Sequence, residues 1–315
     1  GGVGKVTAEW LMNGHINEDI FNYDIKRFQN FHSELGFIKE RITESLGDLY
    51  GVHWPFKQHK TSRNIKTLPY HDNLKSFGAC FGVSGGYERP MWFALDGEKA
   101  EYEYSYNNQS WFPSAEYETN NTIRNVGLYD LTPFSKFEIK SKKAHQELQK
   151  ICTSNIKNEI GKCTYTHMLN NDGGIETDLT VVCIDKNHYR IISSAATRER
   201  DKFHIKKHLS DGIELKDVTD DYCVFGIFGP KSRSLMQEIS KDNFSNENFK
   251  FSYAKNIKIS NLKIWIQRLS YVGELGYELY VKKAEAKKIY ELIINKGKKF
   301  NLSNCGMHAL DTMRM

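Results

Sequence analysis

The sequence predicts an α+β protein with a largely antiparallel sheet. From Cys80 onward, short alternating strands punctuated by Gly, Asn and Asp follow one another with helices between them, and two of the strands read as a hairpin. At 315 residues, 39% hydrophobic and 26% charged, the chain has ample material for a core. No run approaches the ~18 apolar residues that a membrane-spanning helix needs, and no signal-peptide pattern opens the chain.

The elements follow in order. Residues 1–23 read as a glycine turn (GGVGK), one helix with Val6, Trp10 and Leu11 at helical spacing, and an acidic exit from Asn17 to Asp24. Residues 24–79 combine a helix over Phe31 to Leu46 with an aromatic, basic, turn-rich stretch, GVHWPFKQHKTSRNIKTLPYH, which has no strong period and reads as a connector. In the third part, CTYTHML and IETDLTVVCI are strands joined through NNDGG, where Asp-Gly supplies left-handed backbone positions. HYRIIS is a strand and ATRERDKFHIKKHL a charged helix; YCVFGIFG is a buried strand, with Pro230 opening the next helix at its first turn. NLKIWIQRLS and GYELYVK are strands, AEAKKIYELIINKG is a helix closed by Gly297, and NCGMHALDTMRM begins a last helix.

Several chemistries are disfavoured. A phosphate loop needs GxxxxGK followed by Ser or Thr, because backbone N–H groups wrap the phosphates and the hydroxyl reaches the metal. Here Val6 follows Lys5, so glycines running into a helix fit either a plain turn or close backbone approach to a polar ligand. Six cysteines never come closer than eleven positions, which predicts reduced, buried thiols in a cytosol-like compartment. His204 and His208 share a helix face but lack the glutamate of HExxH, so no metal site is expected. The net charge of +5 is spread without interleaved aromatics, which predicts no nucleic-acid partner and a weak attraction to small anions.

Two stretches carry candidate chemistry. In GGIETDLTV, alternation sets Ile175, Leu179 and Val181 on one face and Glu176, Asp178 and Thr180 on the other. The pattern alone is that of a solvated polar face, yet Asp178 stands just inside a Gly-Gly turn, where a rigid strand can hold a carboxylate against a ligand. In RLSYVGELGYELYV, Gly273 and Gly276 separate Tyr271 from a strand on which Glu278 faces away from Tyr277 and Leu279. A carboxylate is the matching acceptor for the two parallel N–H donors of a 2-amino-4-oxo heterocycle.

Taken together, YTHMLNNDGGIETDLTV, SSAATRERD and SYVGELGYELYV resemble the folate-binding domain shared by the aminomethyltransferase of glycine cleavage and the dimethylglycine and sarcosine dehydrogenases. GGVGKVTAEWLMNGH, YDIKRF and YERPMWFA resemble the closing segment of the flavin domain, the connecting domain and the entry into the folate domain of the two dehydrogenases. The resemblance implies an internal piece of a protein roughly two and a half times longer. Residues 1–23 would be a flavin-domain remnant, 24–79 the FAD-dependent oxidoreductase connector, and 80–315 a truncated aminomethyltransferase-like folate domain.

It further implies FAD and tetrahydrofolate as cofactors, a methylated amine as substrate, an electron acceptor for the flavin, and a cytoplasmic or mitochondrial-matrix setting. Asp178 would act at the folate nitrogen that captures the one-carbon unit; Tyr271, Glu278, Ser194 and Thr180 would bind the folate, and Gly2 and Gly4 the flavin. Ser194 occupies the place of an asparagine in the aminomethyltransferases. Leu310 stands where those enzymes carry an arginine for the folate's acidic tail, with Arg314 one helical turn further on. A tetrahydrofolate-dependent aminomethyltransferase or demethylase, and a non-enzymatic folate-fold protein of iron–sulfur assembly, are the alternatives.

Overall fold

A computed structural model describes residues 1–14 and 19–315. The acidic exit over Asn17 to Asp24 begins outside the described residues. The chain opens with α1 (Gly2–Asn13), α2 (Leu35–Asp48) and α3 (His71–Ser76), followed by the antiparallel pair β1 (Ala79–Ser84) and β2 (Tyr87–Phe93). Next come α4 (Phe112–Arg124), β3 (Val126–Asp130), β4 (Ser135–Lys140), α5 (Ala144–Ile151), β5 (Cys163–Leu169), β6 (Ile175–Asp185) and β7 (His188–Ser193). The remainder is α6 (Arg198–His208), β8 (Leu215–Asp217), β9 (Tyr222–Phe228), α7 (Ser232–Ile239), β10 (Ala254–Ile259), β11 (Leu262–Gln267), β12 (Gly276–Lys282), α8 (Ala286–Gly297), β13 (Leu302–Cys305) and α9 (Met307–Met313).

Two large sheets organise these elements. The first has the order β10-β11-β12-β9-β3-β13, antiparallel except for the parallel β3–β13 pair; the second, β5-β6-β7-β4-β8, is antiparallel throughout. One face of the first sheet, with Phe225, Ile227 and Leu279, packs on Leu235, Met236 and Ile239 of α7 and on Ile289, Tyr290 and Ile293 of α8. One face of the second, with Ile139, Leu179, Val181 and Ile191, packs on Leu148 of α5 and Ile205 of α6. Their other faces meet each other: Trp265 of the first sheet shares a cluster with Cys163, Val182 and Ile192 of the second. The result is helix, sheet, sheet, helix, with the polar residues of interest in the middle layer.

Amphipathic spacing explains the helices. In α8 the buried residues fall at Ala286, Ile289, Tyr290, Ile293 and Gly297, a single stripe at helical period. The α9 start abuts β2 so closely that a Cβ on Gly306 would stand 2.2 Å from the Met91 backbone, and only glycine permits this approach.

The structure differs from the sequence reading at several ends. The glycine turn at the start is helical from Gly2 onward, with Gly2 and Gly4 inside α1 and open space around both. The helix expected over Phe31 to Leu46 is a 3-10 turn (Asn30–Ser33) followed by α2. Pro230 precedes the N-cap of α7, Lys231, and so lies outside its first turn. Gly297 ends α8 without leaving the helical region; the left-handed residue is Asn301, at φ 57, after a further 3-10 turn. Alternation along β6 holds, but Thr180 and Val182 are buried because the other sheet covers their face, while Ile175 at the hairpin tip is 66% exposed. All six cysteines are free and buried. Among the described residues no helix is long and apolar enough to cross a membrane.

Candidate functional site

Strand register builds the site. In the second sheet Tyr165, Thr180, Ile192 and Lys136 stand directly opposite one another across β5, β6, β7 and β4, so they share the face turned to the first sheet. In the first sheet Gln267, Glu278 and Gly226 form a row across β11, β12 and β9, with Trp265, Tyr280 and Val224 in the next row on the same face. Where the faces meet lies a cavity of about 10 Å³, lined by Phe134, Lys136 and Ile192 on one side and Tyr271, Glu278 and Tyr280 on the other. Pockets for cofactor-sized ligands are roughly 300 Å³ or more. The cavity is too small for a fused ring as it stands, and two of its lining residues, Phe134 and Tyr271, stack with ring centroids 6.0 Å apart.

Glu278 is 5% exposed and accepts one hydrogen bond, from the Tyr280 hydroxyl at 3.0 Å. Burial pushes its carboxyl up to about 7, moderated by that hydroxyl and by the charge of Lys136. Tyr271 is raised to about 12, first by burial and then by the negative charges of Glu278 and of Asp178. The phenol thus stands between the two carboxylates. Beneath it the Arg314 guanidinium sits 5.3 Å from the ring centre.

Asp178 itself does not line the cavity. It is exposed on β6 and accepts the Tyr165 hydroxyl at 3.0 Å. It shares its face with Thr180, whose cross-strand neighbour Ile192 does line the cavity, and two residues of strand place it ~7 Å along that face, at the rim. Ser194 stands two residues beyond Ile192 as Asp178 stands two before Thr180. Its carbonyl accepts the Ser135 hydroxyl at 2.9 Å and its own hydroxyl accepts the Ala196 N–H at 3.3 Å. The structure therefore gathers Tyr271 and Glu278 at the cavity, sets Asp178, Thr180 and Ser194 along one approach to it, and leaves Gly2 and Gly4 away from it. Leu310 is buried at 1% in the apolar layer, so the cation of α9's end is Arg314.

Three residues of the site escape the sequence reading. Lys136 is fully buried, with Nζ donating to the carbonyls of Thr132 at 2.8 Å and Phe134 at 2.6 Å. Burial lowers its ammonium to about 7, against which the charge of Asp130 acts. In SKFEIK it alternates with apolar residues as any solvated lysine does, so the sequence carries no signal. Tyr280 was legible: a spacing of two from Glu278 puts both on one face of β12. Gln267 is also fully buried, and neither atom of its amide has a partner. Its place opposite Glu278 follows only from pairing.

Other polar groups are less organised. Glu44, Asp48 and His59 bring ligand atoms within 4.8 Å of one another, but Glu44 is taken by the Lys60 and Thr61 N–H groups and Asp48 by Lys57 at 2.6 Å. The His204 and His208 rings lie 4.6 Å apart, and His208 Nδ1 bonds the His204 carbonyl at 2.8 Å. In α1 a Cβ on Gly2 or Gly4 would meet nothing within 4 Å, so the described residues form no cradle for a flavin there.

Among known proteins, the family described as GCVT N-terminal domain matches residues 70–315, and that described as FAD dependent oxidoreductase central domain matches residues 13–67. The 4-methylaminobutanoate oxidase (formaldehyde-forming) of Paenarthrobacter nicotinovorans is 33% identical over 99% of this chain and 38% of its own length. The mitochondrial dimethylglycine dehydrogenase of Rattus norvegicus is 29% identical over 100% of this chain and 37% of its own. The chain thus spans less than two-fifths of the length of these relatives. The structure of glycine cleavage system aminomethyltransferase T from Bartonella henselae superposes with a TM-score of 0.65 at 20% identity, covering 80% of this chain and 62% of that one, a likeness of fold.

Proposed function

The chain belongs to the GCVT N-terminal domain family, joined here to a segment of the FAD dependent oxidoreductase central domain, and from that premise we propose that it is the folate-binding part of an amine-demethylating flavoenzyme. Residues 80–315 are the folate domain, 24–79 the connector and 1–23 the end of the flavin domain. The amine is an N-methylated amino acid. Dimethylglycine and sarcosine are the leading substrates, and the relative whose name specifies 4-methylaminobutanoate extends the class to a longer carbon chain. Tetrahydrofolate supplies the nitrogen that captures the one-carbon unit.

The observation that supports this best is a buried carboxylate and a phenol, Glu278 and Tyr271, on one cavity between two sheets. When ionised, Glu278 accepts the paired N–H donors of the pteridine edge. Tyr271 and Phe134 cover the ring, and Arg314 stands at the mouth for the acidic tail. Asp178 at the rim meets the reacting nitrogen, where an ionised carboxylate takes up its proton, and Tyr165 holds that carboxylate in place. Thr180 and Ser194 line the approach between them.

The test uses the full-length protein. Asp178→Asn reduces one-carbon transfer to tetrahydrofolate by about 100-fold, the scale of a lost proton acceptor, and leaves amine oxidation within about twofold. Equal loss of both activities would show that the two-site assignment is wrong.

A further inference from the structure

We propose that Lys136 is the residue that selects an oxo-bearing heterocycle: its Nζ donates to the 4-oxo oxygen of the ring whose neighbouring N–H pair Glu278 accepts. The inference rests on the folate reading and adds to it a specificity-determining residue.

Lys136 and Glu278 face each other from different sheets and line the same cavity. Lys136 has no solvent to turn to, being fully buried. When protonated, Lys136 carries three N–H donors, and the carbonyls of Thr132 and Phe134 take two; burial lowers the ammonium to about 7, so an acceptor at the third N–H also holds the proton on it. Among the described residues no side chain accepts from the third. A buried donor without a partner is costly, and the cavity is where this one can find an acceptor. The two carbonyls belong to the turn just before β4 and hold the ammonium from behind, so its position is set by backbone.

Ligand chemistry supplies the match. In a 2-amino-4-oxo ring, the 2-amino group and N3–H form the donor pair that suits a carboxylate, and the 4-oxo oxygen is attached next to N3. A cation beside Glu278 therefore meets an acceptor. Replacing the oxo group by an amino group sets donor against donor and leaves the buried ammonium unpaired, and because the 4-amino ring carries no N3–H it also weakens the pair at Glu278, so the two contributions are separated by varying Lys136 alone. Lys136 would thus distinguish folates from 2,4-diamino antifolates.

The probes are 5-formyltetrahydrofolate and its 4-amino counterpart, identical except at position 4, with affinities measured by calorimetry on the parent chain and on Lys136→Met. The parent binds the 4-oxo compound about tenfold or more tightly than the 4-amino one. In Lys136→Met the ratio falls several-fold, through weaker binding of the 4-oxo compound, to the preference that Glu278 alone gives for a ring with N3–H. A parent that binds both equally, or a variant that keeps the parent's ratio, overturns the role of Lys136 while leaving the folate reading intact. A parent that binds neither overturns the folate reading itself. If thermal unfolding shows that Lys136→Met does not fold, Lys136→Gln, whose amide can turn to accept from a 4-amino group, takes its place with the same expected fall in the ratio.

Discussion

Tyr165 on β5 donates its hydroxyl to Oδ2 of Asp178 on β6 across 3.0 Å, with both side chains open to solvent at the rim of the inter-sheet layer. The bond leaves one carboxylate oxygen for a ligand and fixes the direction of the other. Exposed residues contribute little to stability, so removing this bond tests the proposed role of Asp178 with little effect on folding.

Tyr165→Phe is therefore expected to leave the unfolding free energy within ~0.5 kcal/mol of the parent. One-carbon transfer falls about threefold to tenfold, the cost of a carboxylate no longer held in line. Chemical denaturation and a single-turnover transfer assay on the full-length protein check the two halves separately.

Glu278 makes the ligand-free stability depend on pH. Its carboxyl titrates near 4.5 in the unfolded chain and about 7 in the folded one, so between those values the folded state holds more protons. The contribution is full below pH 4.5 and is lost as pH rises through 7. Glu278→Gln removes that slope, a difference from the parent on the order of 3 kcal/mol at most. Urea unfolding of parent and variant from pH 5 to 8 measures it; parallel curves would contradict the buried placement.

Glu118 is another buried carboxyl, 1% exposed, that holds the framework. It accepts the Phe93 and Gly306 N–H groups, each at 2.7 Å, and burial pushes it to about 8. It ties the end of β2 to the start of α9, the helix after which Arg314 follows. Glu118→Ala orphans two buried N–H groups and is expected to cost about 2–5 kcal/mol in denaturant unfolding.

Much of this was legible from local pattern. The β5–β6 hairpin and the face of Glu278 follow from period-two alternation and appear as read, while in the Asp-Gly turn only Gly173, at φ 84, is left-handed. What alternation cannot show is which polar face a second sheet will cover. Lys136 and Thr180 look like solvated residues in sequence and are buried only because two sheets lie face to face. The strand β13 was missed for a similar reason: four residues paired in parallel to β3 carry no period long enough to detect. At the N-terminus, glycines suggested a turn, yet helical spacing of Val6 and Trp10 extends back through Gly2.

Arg314 offers a charge-specific prediction. Its guanidinium lies 5.3 Å from the Tyr271 ring centre, whereas Leu310 is buried in the apolar layer, so in the proposed reading Arg314 meets the folate tail. Arg314→Glu is expected to weaken binding of a reduced folate with its glutamate tail about tenfold, and of the tail-less pterin less than twofold. The loss diminishes as salt is raised. Equal effects on both ligands would remove Arg314 from the tail contact.

The central claim is that the Glu278 carboxylate grips the pteridine edge, and isothermal titration of 5-formyltetrahydrofolate into the parent chain and Glu278→Gln tests it most directly. The amide presents a donor where the ring also presents donors, so the account predicts measurable binding to the parent and at least a 100-fold loss in the variant. Equal affinity in the two proteins would contradict it.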